Sequence, residues 1–246
     1  MEPPLRLLLI GAAGRMGKAI VLAAAADPAV EISAQLNRGD APGSAFADCD
    51  VVIDFSHADT IGDVIAACLT NRKPIVIGTT GYSAAQLGAI EQAATKVPIV
   101  LAANFSVGVN TLFWLTRKAA ELLGPEFDIE IIETHHRLKK DAPSGTAKRL
   151  AEILCEARDL TYDADVTHGR AGTVGERPSQ QIGMHSVRAG DVVGEHTVLF
   201  AAPGERLELT HKATSRETFA VGALRAARWL TGQPAAIYSM EDVLGL

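Results

Sequence analysis

The fold class follows from a stretch near the start of the chain, LRLLLIGAAGRMG at residues 5–17. Leu5 to Ile10 is a short continuous apolar run that ends at a glycine, which is typical of a strand buried on both faces of a sheet. The next seven residues have GxxGxxG spacing and lead into a helical pattern from Lys18 to Ala26. Such a turn lets a pyrophosphate approach the backbone and meet the free N–H groups of a helix start. The stretch predicts a dinucleotide-binding βαβ unit, with an ordinary strand-to-helix turn as the alternative.

The pattern of apolar residues divides the chain into two halves. In the first half strands alternate with helices, which predicts a Rossmann-like, doubly wound parallel sheet. The strands are expected at 5–10, 31–36, 50–55, 74–77 and 98–103, and the helices at 18–26, 60–69 and 84–94. Beyond Asn104 we expect helices at 110–123, 144–157 and 217–231, with strands at 127–134 and within 180–213. This half predicts a second α+β domain with a mostly antiparallel or mixed sheet. The predicted domains are 1–105 with 217–246, for dinucleotide binding, and 106–216, for substrate binding and oligomerisation.

Composition argues against nucleic-acid-binding, membrane-spanning and disulfide-bonded classes of protein. The chain has 246 residues, is 48% hydrophobic and carries a net charge of -6, which argues against nucleic acid as a general partner. No apolar run reaches membrane-spanning length, and the N-terminus lacks a signal-peptide pattern. Cys49, Cys68 and Cys155 are widely spaced and are interpreted as buried, unbridged residues of a reducing compartment. We therefore expect a cytoplasmic α/β protein with neither a membrane partner nor a metal site.

The residues that would contact the ribose of a dinucleotide lie about twenty residues beyond the glycine turn, at the end of the second strand. The chain there reads Gln35-Leu36-Asn37-Arg38, with no carboxylate at the strand end. A carboxylate would bind the ribose hydroxyls and repel a 2′-phosphate, whereas an arginine pairs with that phosphate. Arg38 therefore favours NADPH over NADH, although Asp40 leaves use of both cofactors open.

Two further loops follow predicted parallel strands. Residues 78–81 (GTTG) follow the fourth strand, and residues 102–105 (AANF) follow the fifth. Ligands of open parallel sheets bind outside the carboxyl ends of the strands. Both loops could receive a flat nicotinamide or could be ordinary turns, and residues 54–56 (DFS) are a weaker candidate.

A second distinctive stretch, EIIETHHRLKKDAPSGTAKRL at residues 130–150, is rich in groups that transfer protons or bind anions. His135 and His136 end an apolar strand, so their side chains should point apart, which argues against joint binding of a metal. Two imidazoles beside Lys139 favour proton transfer near neutral pH, although a structural histidine is an alternative for one of them. Arg137 is expected to contact substrate or to pair with Glu133 or a neighbouring acid.

Residues 141–146 (DAPSGT) predict a turn into a helix with Ser144 as the N-cap. Capping alone would explain this motif. Lys139 nearby adds an ammonium group that could share an anion with the amides of the helix start. The stretch as a whole predicts an enzyme site for a small dianionic molecule. The other histidines, which are interpreted as structural or exposed, are His57, His168, His185, His196 and His211. The turn at 186–194 could complete a pocket or be an ordinary turn.

Motifs along nearly the whole chain resemble the dihydrodipicolinate reductase family. They are GAAGRMG (11–17), GTTGY (78–82), AANFSVGVN (102–110), ETHHRLKKDAPSGTA (133–147) and GDVVGEHTV (190–198). The resemblance implies NADH- or NADPH-dependent reduction of 4-hydroxy-tetrahydrodipicolinate, with loss of water, in the diaminopimelate route to lysine. It also implies a dinucleotide-binding domain, a mixed-sheet domain and a homotetramer.

The resemblance assigns roles to individual residues. His135 would donate or accept the catalytic proton and Lys139 would be a second proton donor. The substrate would contact His136, Ser144, Gly145 and Thr146. The cofactor would contact Gly11, Ala12, Ala13, Gly14, Arg15, Met16, Gly78, Thr79, Thr80, Ala102, Ala103, Asn104 and Phe105, besides the Arg38 predicted above. Many family members carry an acid immediately before that arginine, so Asn37 argues against strong NADH use.

Two other functions are compatible with the glycine turn. One is a different nicotinamide-dependent imine reductase or amino-acid dehydrogenase, against which the HHRLKKDAPSGT block argues. The other is a non-catalytic dinucleotide sensor, which would bind cofactor without turnover. The intact histidine and lysine set argues against that reading.

Overall fold

The computed structural model describes residues 3–41 and 43–246 and contains two units. One unit comprises the chain up to Val107 together with Arg216–Leu246, and the other comprises Gly108–Ser215. The chain therefore leaves the first unit once and returns to it after the second unit is complete.

The first unit contains a six-stranded, all-parallel sheet. Its strands are β1 (Leu5–Ile10), β2 (Val30–Leu36), β3 (Val51–Asp54), β4 (Ile75–Ile77), β5 (Ile99–Leu101) and β11 (Ile237–Tyr238). Their order across the sheet is β11-β5-β4-β3-β1-β2. The chain reverses direction across the sheet between β1 and β3, so the carboxyl ends of these strands form the crevice where such sheets bind ligands.

Helices cover both faces of this sheet, as the alternation of strand side chains requires. The helices are α1 (Arg15–Ala25), α2 (Ile61–Asn71), α3 (Ala84–Ala94), α7 (Glu217–Leu230) and α8 (Met240–Leu244), with a short 3-10 turn at Ala58–Thr60. Leu7 and Leu9 of β1 pack with residues of α1 and α7. Leu8 and Ile10 pack on the opposite face with residues of α2 and α3. The prediction of a doubly wound parallel sheet is confirmed.

The glycine turn after β1 is tight for a steric reason. Gly11 has φ 85°, and a Cβ at this position would lie 2.3 Å from the carbonyl oxygen of Phe55. A Cβ at Gly17 would lie 2.2 Å from the carbonyl oxygen of Gly11. Larger residues at these two positions would separate β1, β3 and the start of α1, so they support the close turn that the sequence predicts.

The second unit contains a five-stranded mixed sheet. Its strands are β6 (Asp128–His135), β7 (Val166–His168), β8 (Ile182–Arg188), β9 (Gly194–Ala202) and β10 (Glu205–Ala213), in the order β10-β9-β6-β8-β7. Strand β9 pairs antiparallel with β6 and β10, whereas β8 pairs parallel with β6 and β7. Two of these four strand pairs are therefore antiparallel and two are parallel. The parallel pair β6–β8 places His135 beside Arg188.

One face of this sheet is covered by helices. Helix α4 (Val107–Leu123) and α5 (Gly145–Arg158) pack on it, and the short α6 (Tyr162–Asp165) follows. Buried side chains alternate along β6 and β9, so Ile131 and Val198 face the helices, while Ile132 and Leu199 lie on the other face.

The predicted elements are present with end points that differ by a few residues. The sequence pattern did not indicate α6, β7, β11, α8 or the 3-10 turn, all of which are at most five residues long. Cys49, Cys68 and Cys155 are buried and unbridged, as expected. Among the described residues, no helix is long and apolar enough to span a bilayer.

Candidate active site

The predicted site residues separate by unit. Those expected to bind the cofactor belong to the first unit, and those expected to act on the substrate belong to the second.

The predicted cofactor loops lie at the carboxyl ends of β1, β4 and β5. Of their residues, those buried are Ala12, Thr79 and Phe105, those partly buried are Gly11, Met16, Gly78, Ala102 and Asn104, and those exposed are Ala13, Gly14, Arg15, Thr80 and Ala103. The ring of Phe105 packs on that of Phe55, with 5.4 Å between centroids. The loop after β5 is thus joined to the loop after β3, at the end of the sheet where a dinucleotide is expected.

The first turn of α1 is open to a ligand. Gly14 is its N-cap, and within the described residues no side chain caps this helix. The N–H groups of its first residues therefore point to the same edge as the glycine turn, where they can donate hydrogen bonds to an anion. Ala12, Ala13, Lys18 and Asn37 border a surface hollow beside this turn. Lys18 was not singled out from the sequence, because a lone lysine on a helix is usually only a surface charge.

Asn37 stabilises the glycine turn. Its Oδ1 accepts the backbone N–H of Ala13 at 2.7 Å, and its own N–H donates to a carboxylate oxygen of Asp40, also at 2.7 Å. Arg38 and Asp40 are exposed. The carboxylate of Asp40 is thus already engaged at the end of β2.

A buried carboxyl group, Asp54, lies at the end of β3. It is 0% exposed, contacts the hydroxyl of Ser56 and accepts the hydroxyl of Thr79 at 2.9 Å. Thr79 in turn accepts the backbone N–H of Ser56 at 2.8 Å. Burial raises the pKa of Asp54, and the hydrogen bonds of Ser56 and Thr79 offset this only in part. The network fixes the conformation of the GTTG loop relative to β3.

A second buried carboxyl group, Glu133, organises the substrate unit. Glu133 is 0% exposed, and its Oε2 lies 2.5 Å from Nδ1 of His135. Arg188 donates to both carboxylate oxygens, at 2.9 Å to Oε2 and 2.8 Å to Oε1. The parallel pairing of β6 with β8 brings these residues together, since it places Arg188 beside His135. Arg137, one of whose expected partners was Glu133, is exposed, and Arg188 forms that ion pair instead.

These partners decide the charge of Glu133. Burial alone would raise the pKa of Glu133, but the hydrogen bonds from His135, Arg188 and Ser186 outweigh it and hold the pKa far below its usual range. Glu133 is therefore ionised throughout the physiological range.

Ser144 caps α5, as the sequence predicts. Its Oγ accepts the backbone N–H of Ala147 at 3.1 Å, and its own N–H donates to Oε1 of Glu133 at 3.2 Å. The Ser144 hydroxyl also lies 3.0 Å from Nε2 of His196, a contact that the sequence did not indicate. Burial, with a smaller contribution from His135, lowers the pKa of His196 to about 3, so this ring is neutral.

The remaining predicted substrate residues lie between the end of β6 and the first turn of α5. Lys139 donates to both carboxylate oxygens of Asp141, at 3.0 Å and 2.8 Å. Gly145 is exposed at the start of α5, and Thr146 follows it, partly buried. His136 is partly buried, and in the described part of the chain its Nδ1 has no hydrogen-bond partner. The loop from β6 to α5 thus carries a lysine and an exposed helix start beside His135.

The lack of a side chain at Gly194 leaves space beside the second ring nitrogen of His135. A Cβ at Gly194 would lie 3.0 Å from Nε2 of His135. The ring of His196 lies edge-on to that of His135, with 5.2 Å between centroids. The turn at 186–194, left open by the sequence, therefore supplies the backbone that faces Nε2.

The described residues contain no cluster of three or more metal-ligating side chains. The chemistry that the second unit can perform with its own groups is proton transfer at a fixed imidazole, next to an ammonium group and a helix start that attract anions.

Both units match models of one known protein family. Residues 5–105 match the family model for the N-terminus of dihydrodipicolinate reductase, and residues 108–244 match the model for its C-terminus. The chain belongs to the dihydrodipicolinate reductase family.

Relatives in this family are similar over their full length. The 4-hydroxy-tetrahydrodipicolinate reductase of Akkermansia muciniphila is 55% identical over 240 residues, which cover 98% of both chains. That of Hahella chejuensis is 45% identical over 264 aligned positions, covering 98% of this chain and 99% of the relative. A dipicolinate-bound dihydrodipicolinate reductase from Paenisporosarcina shares the fold with a TM-score of 0.79 at 24% identity, over 96% of this chain and 97% of that one.

The contacts that three residues make at the site were not predicted from the sequence. Glu133, Arg188 and His196 lie on three different strands, and only the register of β6 with β8 and β9 makes them neighbours. A signal was available for Glu133, because it shares a strand face with His135, two residues away.

Proposed function

We propose that this protein reduces 4-hydroxy-tetrahydrodipicolinate to tetrahydrodipicolinate with a reduced nicotinamide dinucleotide, in the diaminopimelate route to lysine. Water leaves as the substrate hydroxyl is lost, and the product gains one hydride and one proton. Besides family membership, the observation that supports this most is the buried Glu133–His135 contact, beside Lys139 and the start of α5. A dicarboxylic substrate requires such a combination of proton donor and anion-binding groups.

The proposed roles of the substrate residues are supported by their positions. His135 is the proton donor, acting through Nε2, because Nδ1 is engaged by Glu133. Lys139 is a second donor and binds one carboxylate once its ion pair with Asp141 opens. Ser144, Gly145 and Thr146 present the start of α5 to the other carboxylate, and His136 contributes its ring.

The first unit fits a dinucleotide. Gly11 and Gly17 leave the backbone free of Cβ atoms at the turn, and α1 begins without a side-chain cap among the described residues. The pyrophosphate would bind there, and the loops at 78–80 and 102–105 would receive the nicotinamide. When bound, the cofactor would supply the hydride. The loops of the chain would hold the nicotinamide in a fixed orientation for the transfer.

NADPH is the proposed preferred cofactor, with NADH as a second one. Asn37 provides no carboxylate and uses its side-chain oxygen on Ala13, and one oxygen of the Asp40 carboxylate already accepts the Asn37 N–H, which disfavours strong binding of the ribose hydroxyls by an acid. Arg38 is exposed at the same strand end and can pair with a 2′-phosphate. Comparing kcat/KM for both cofactors tests this, since Arg38→Ala should lower the value for NADPH and leave that for NADH nearly unchanged.

Assembly and location complete the proposal. The face of the mixed sheet without helices carries Ile132 and Val187, which are 37% and 42% exposed, and Leu199 between polar neighbours. We propose that this face forms the contacts of a homotetramer and that the enzyme works in the cytoplasm. Sedimentation of the purified protein tests the first point.

The decisive experiment follows nicotinamide absorbance with freshly generated synthase product as substrate. His135→Gln should lower kcat by about 100-fold or more while KM changes little, because a proton donor acts mainly in the transition state. His168→Gln, at an exposed histidine of the same unit, is the matched control and should keep wild-type turnover. An unaltered kcat in His135→Gln would remove this residue from the chemistry.

A further inference from the structure

The carboxylate of Glu133 is held in place by contacts with His135, Arg188 and Ser144. Its Oε2 meets Nδ1 of His135 at 2.5 Å, Arg188 binds both of its oxygens, and its Oε1 accepts the N–H of Ser144 at 3.2 Å. The side chain is 0% exposed, so water does not compete for these bonds. One carboxylate thereby links the imidazole to the first residue of the helix start.

This geometry fixes the tautomer of His135. An ionised carboxylate only accepts hydrogen bonds, so Nδ1 must carry a hydrogen atom. In the neutral ring the lone pair is then on Nε2, and in the charged ring Nε2 carries the proton that can leave. Every proton exchange with a ligand must pass through Nε2, the nitrogen beside Gly194.

The groups around Glu133 keep it ionised. Arg188 forms a two-pronged ion pair with it, and the Arg188 guanidinium is itself held by the carbonyl oxygens of Asp141 and Val187, both at 2.7 Å. Its other titratable contact is His135, and the more distant His196 is neutral for the reason given above. A fixed arginine of this kind prevents the carboxylate from taking the proton of His135.

We propose that Glu133 is a positioning residue that, with Arg188, holds His135 in the Nδ1–H tautomer and aims Nε2 at the bound substrate. The proposal rests on the proposed function for the identity of the reaction. It assigns the orientation of the proton donor to a strand residue on β6 and its ion pair with β8, rather than to the loop that binds substrate.

The first test is the kinetics of Glu133→Gln. Glutamine keeps the shape of the side chain but can offer an N–H to Nδ1, which would place the ring hydrogen on Nε2 instead. We expect kcat to fall about 10- to 100-fold, with a smaller change in KM, since orientation matters most in the transition state. Glu130→Gln is the matched control on the same strand, because Glu130 also contacts a histidine and two arginines but not His135. It should retain kcat within about 2-fold.

A double variant separates action through His135 from a general structural effect. If Glu133 works only through the imidazole, Glu133→Gln should add little to the loss already caused by His135→Gln. The proposal would be overturned if the fold-losses of kcat from the two single variants multiplied in the double variant. An unaltered kcat in Glu133→Gln would also overturn it.

The second test is made on the wild-type protein. Nitrogen-15 NMR of histidine reports which ring nitrogen carries hydrogen, and the His135 signals are assigned by their loss in the spectrum of His135→Gln. We expect a protonated Nδ1 and an unprotonated Nε2 in the neutral ring. An Nε2–H tautomer, or averaging between the two, would contradict the proposal. Because this measurement needs no substrate, it holds even if the wild type fails to reduce the proposed substrate, which would refute the proposed function alone.

Discussion

Among the described residues, each unit has a fully buried carboxyl group at or near the end of a strand. The pKa values of these two groups are shifted in opposite directions. Asp54 ends β3 and Glu133 lies near the end of β6, and both are 0% exposed. The pKa of Asp54 is raised because burial outweighs the hydroxyl groups around it. The pKa of Glu133 is lowered because hydrogen bonds, chiefly from His135 and Arg188, outweigh the same effect of burial. The charge on a buried acid is therefore decided by its partners.

The hydrogen bonds of Asp54 explain why burial prevails. The Ser56 hydroxyl donates to one carboxyl oxygen, and the Thr79 hydroxyl donates to the other at 2.9 Å. Both donors are uncharged, so they offset the effect of burial on the pKa only in part.

The difference suits the two proposed tasks. An acid whose charged form is disfavoured by burial can support a cofactor loop with less negative charge near a phosphate-bearing ligand. An ionised acid beside an imidazole fixes the orientation and the tautomer of the ring. Each of the following predictions tests one side of this contrast.

The largest effect on stability is expected from Arg188→Met. This change leaves Glu133 buried without its cation, which should lower the free energy of unfolding by about 3 to 5 kcal/mol. Urea unfolding measures the loss. Arg170→Met is the control, because its ion pair with Glu130 is more exposed and should be worth at most about 1 kcal/mol. Equal losses in both variants would mean that burial of the carboxylate is irrelevant.

A smaller contrast is expected between two isosteric changes, Glu133→Gln and Asp54→Asn. The first removes an ionised acceptor and should cost about 2 to 3 kcal/mol, whereas the second removes an acid whose charged form is disfavoured by burial and should cost less than about 1 kcal/mol. The midpoints of thermal unfolding give the comparison. A larger loss in Asp54→Asn than in Glu133→Gln would reverse the account.

The smallest effect is the pH dependence of stability. A raised pKa means that folding favours protonated Asp54, so its contribution is complete below the ordinary value of 3.8 and is lost as pH rises through the folded pKa. The stability of the wild type relative to Asp54→Asn should therefore decline with rising pH, by at most about 1.4 kcal/mol per pH unit. Glu133 has the opposite sign, since its contribution is complete above 4.5 and is lost as pH falls through the lowered pKa. Parallel pH profiles for the two variants would exclude this assignment.

Local patterns predicted much of this architecture. The run Leu5–Ile10 followed by the glycine turn indicated a buried strand and a parallel sheet, because strand burial and turn sterics act over a few residues. Ser144 was recognised as an N-cap for the same reason. The two-residue strand β11 carries no periodic signal, and it forms only because α7 returns the chain to β5.

The organisation of the site depends on pairing between distant strands, which a single sequence does not contain. Arg137 was a reasonable partner for Glu133 by proximity along the chain, yet the pairing of β6 with β8 supplies Arg188. His196 was interpreted as structural or exposed, and its contact with Ser144 requires the register of β9. The roles of His135, Lys139 and the cofactor loops remain predictions that the kinetic experiments test.

The most direct test is a carbon-13 NMR titration of the side-chain carboxyl groups of Asp54 and Glu133 in the same folded sample. We predict that Asp54 titrates above its ordinary value of 3.8, whereas Glu133 stays ionised well below 4.5, down to the pH at which the protein unfolds. Titration of Asp54 at or below 3.8, or of Glu133 at or above 4.5, would contradict the claim that their surroundings shift the two pKa values in opposite directions.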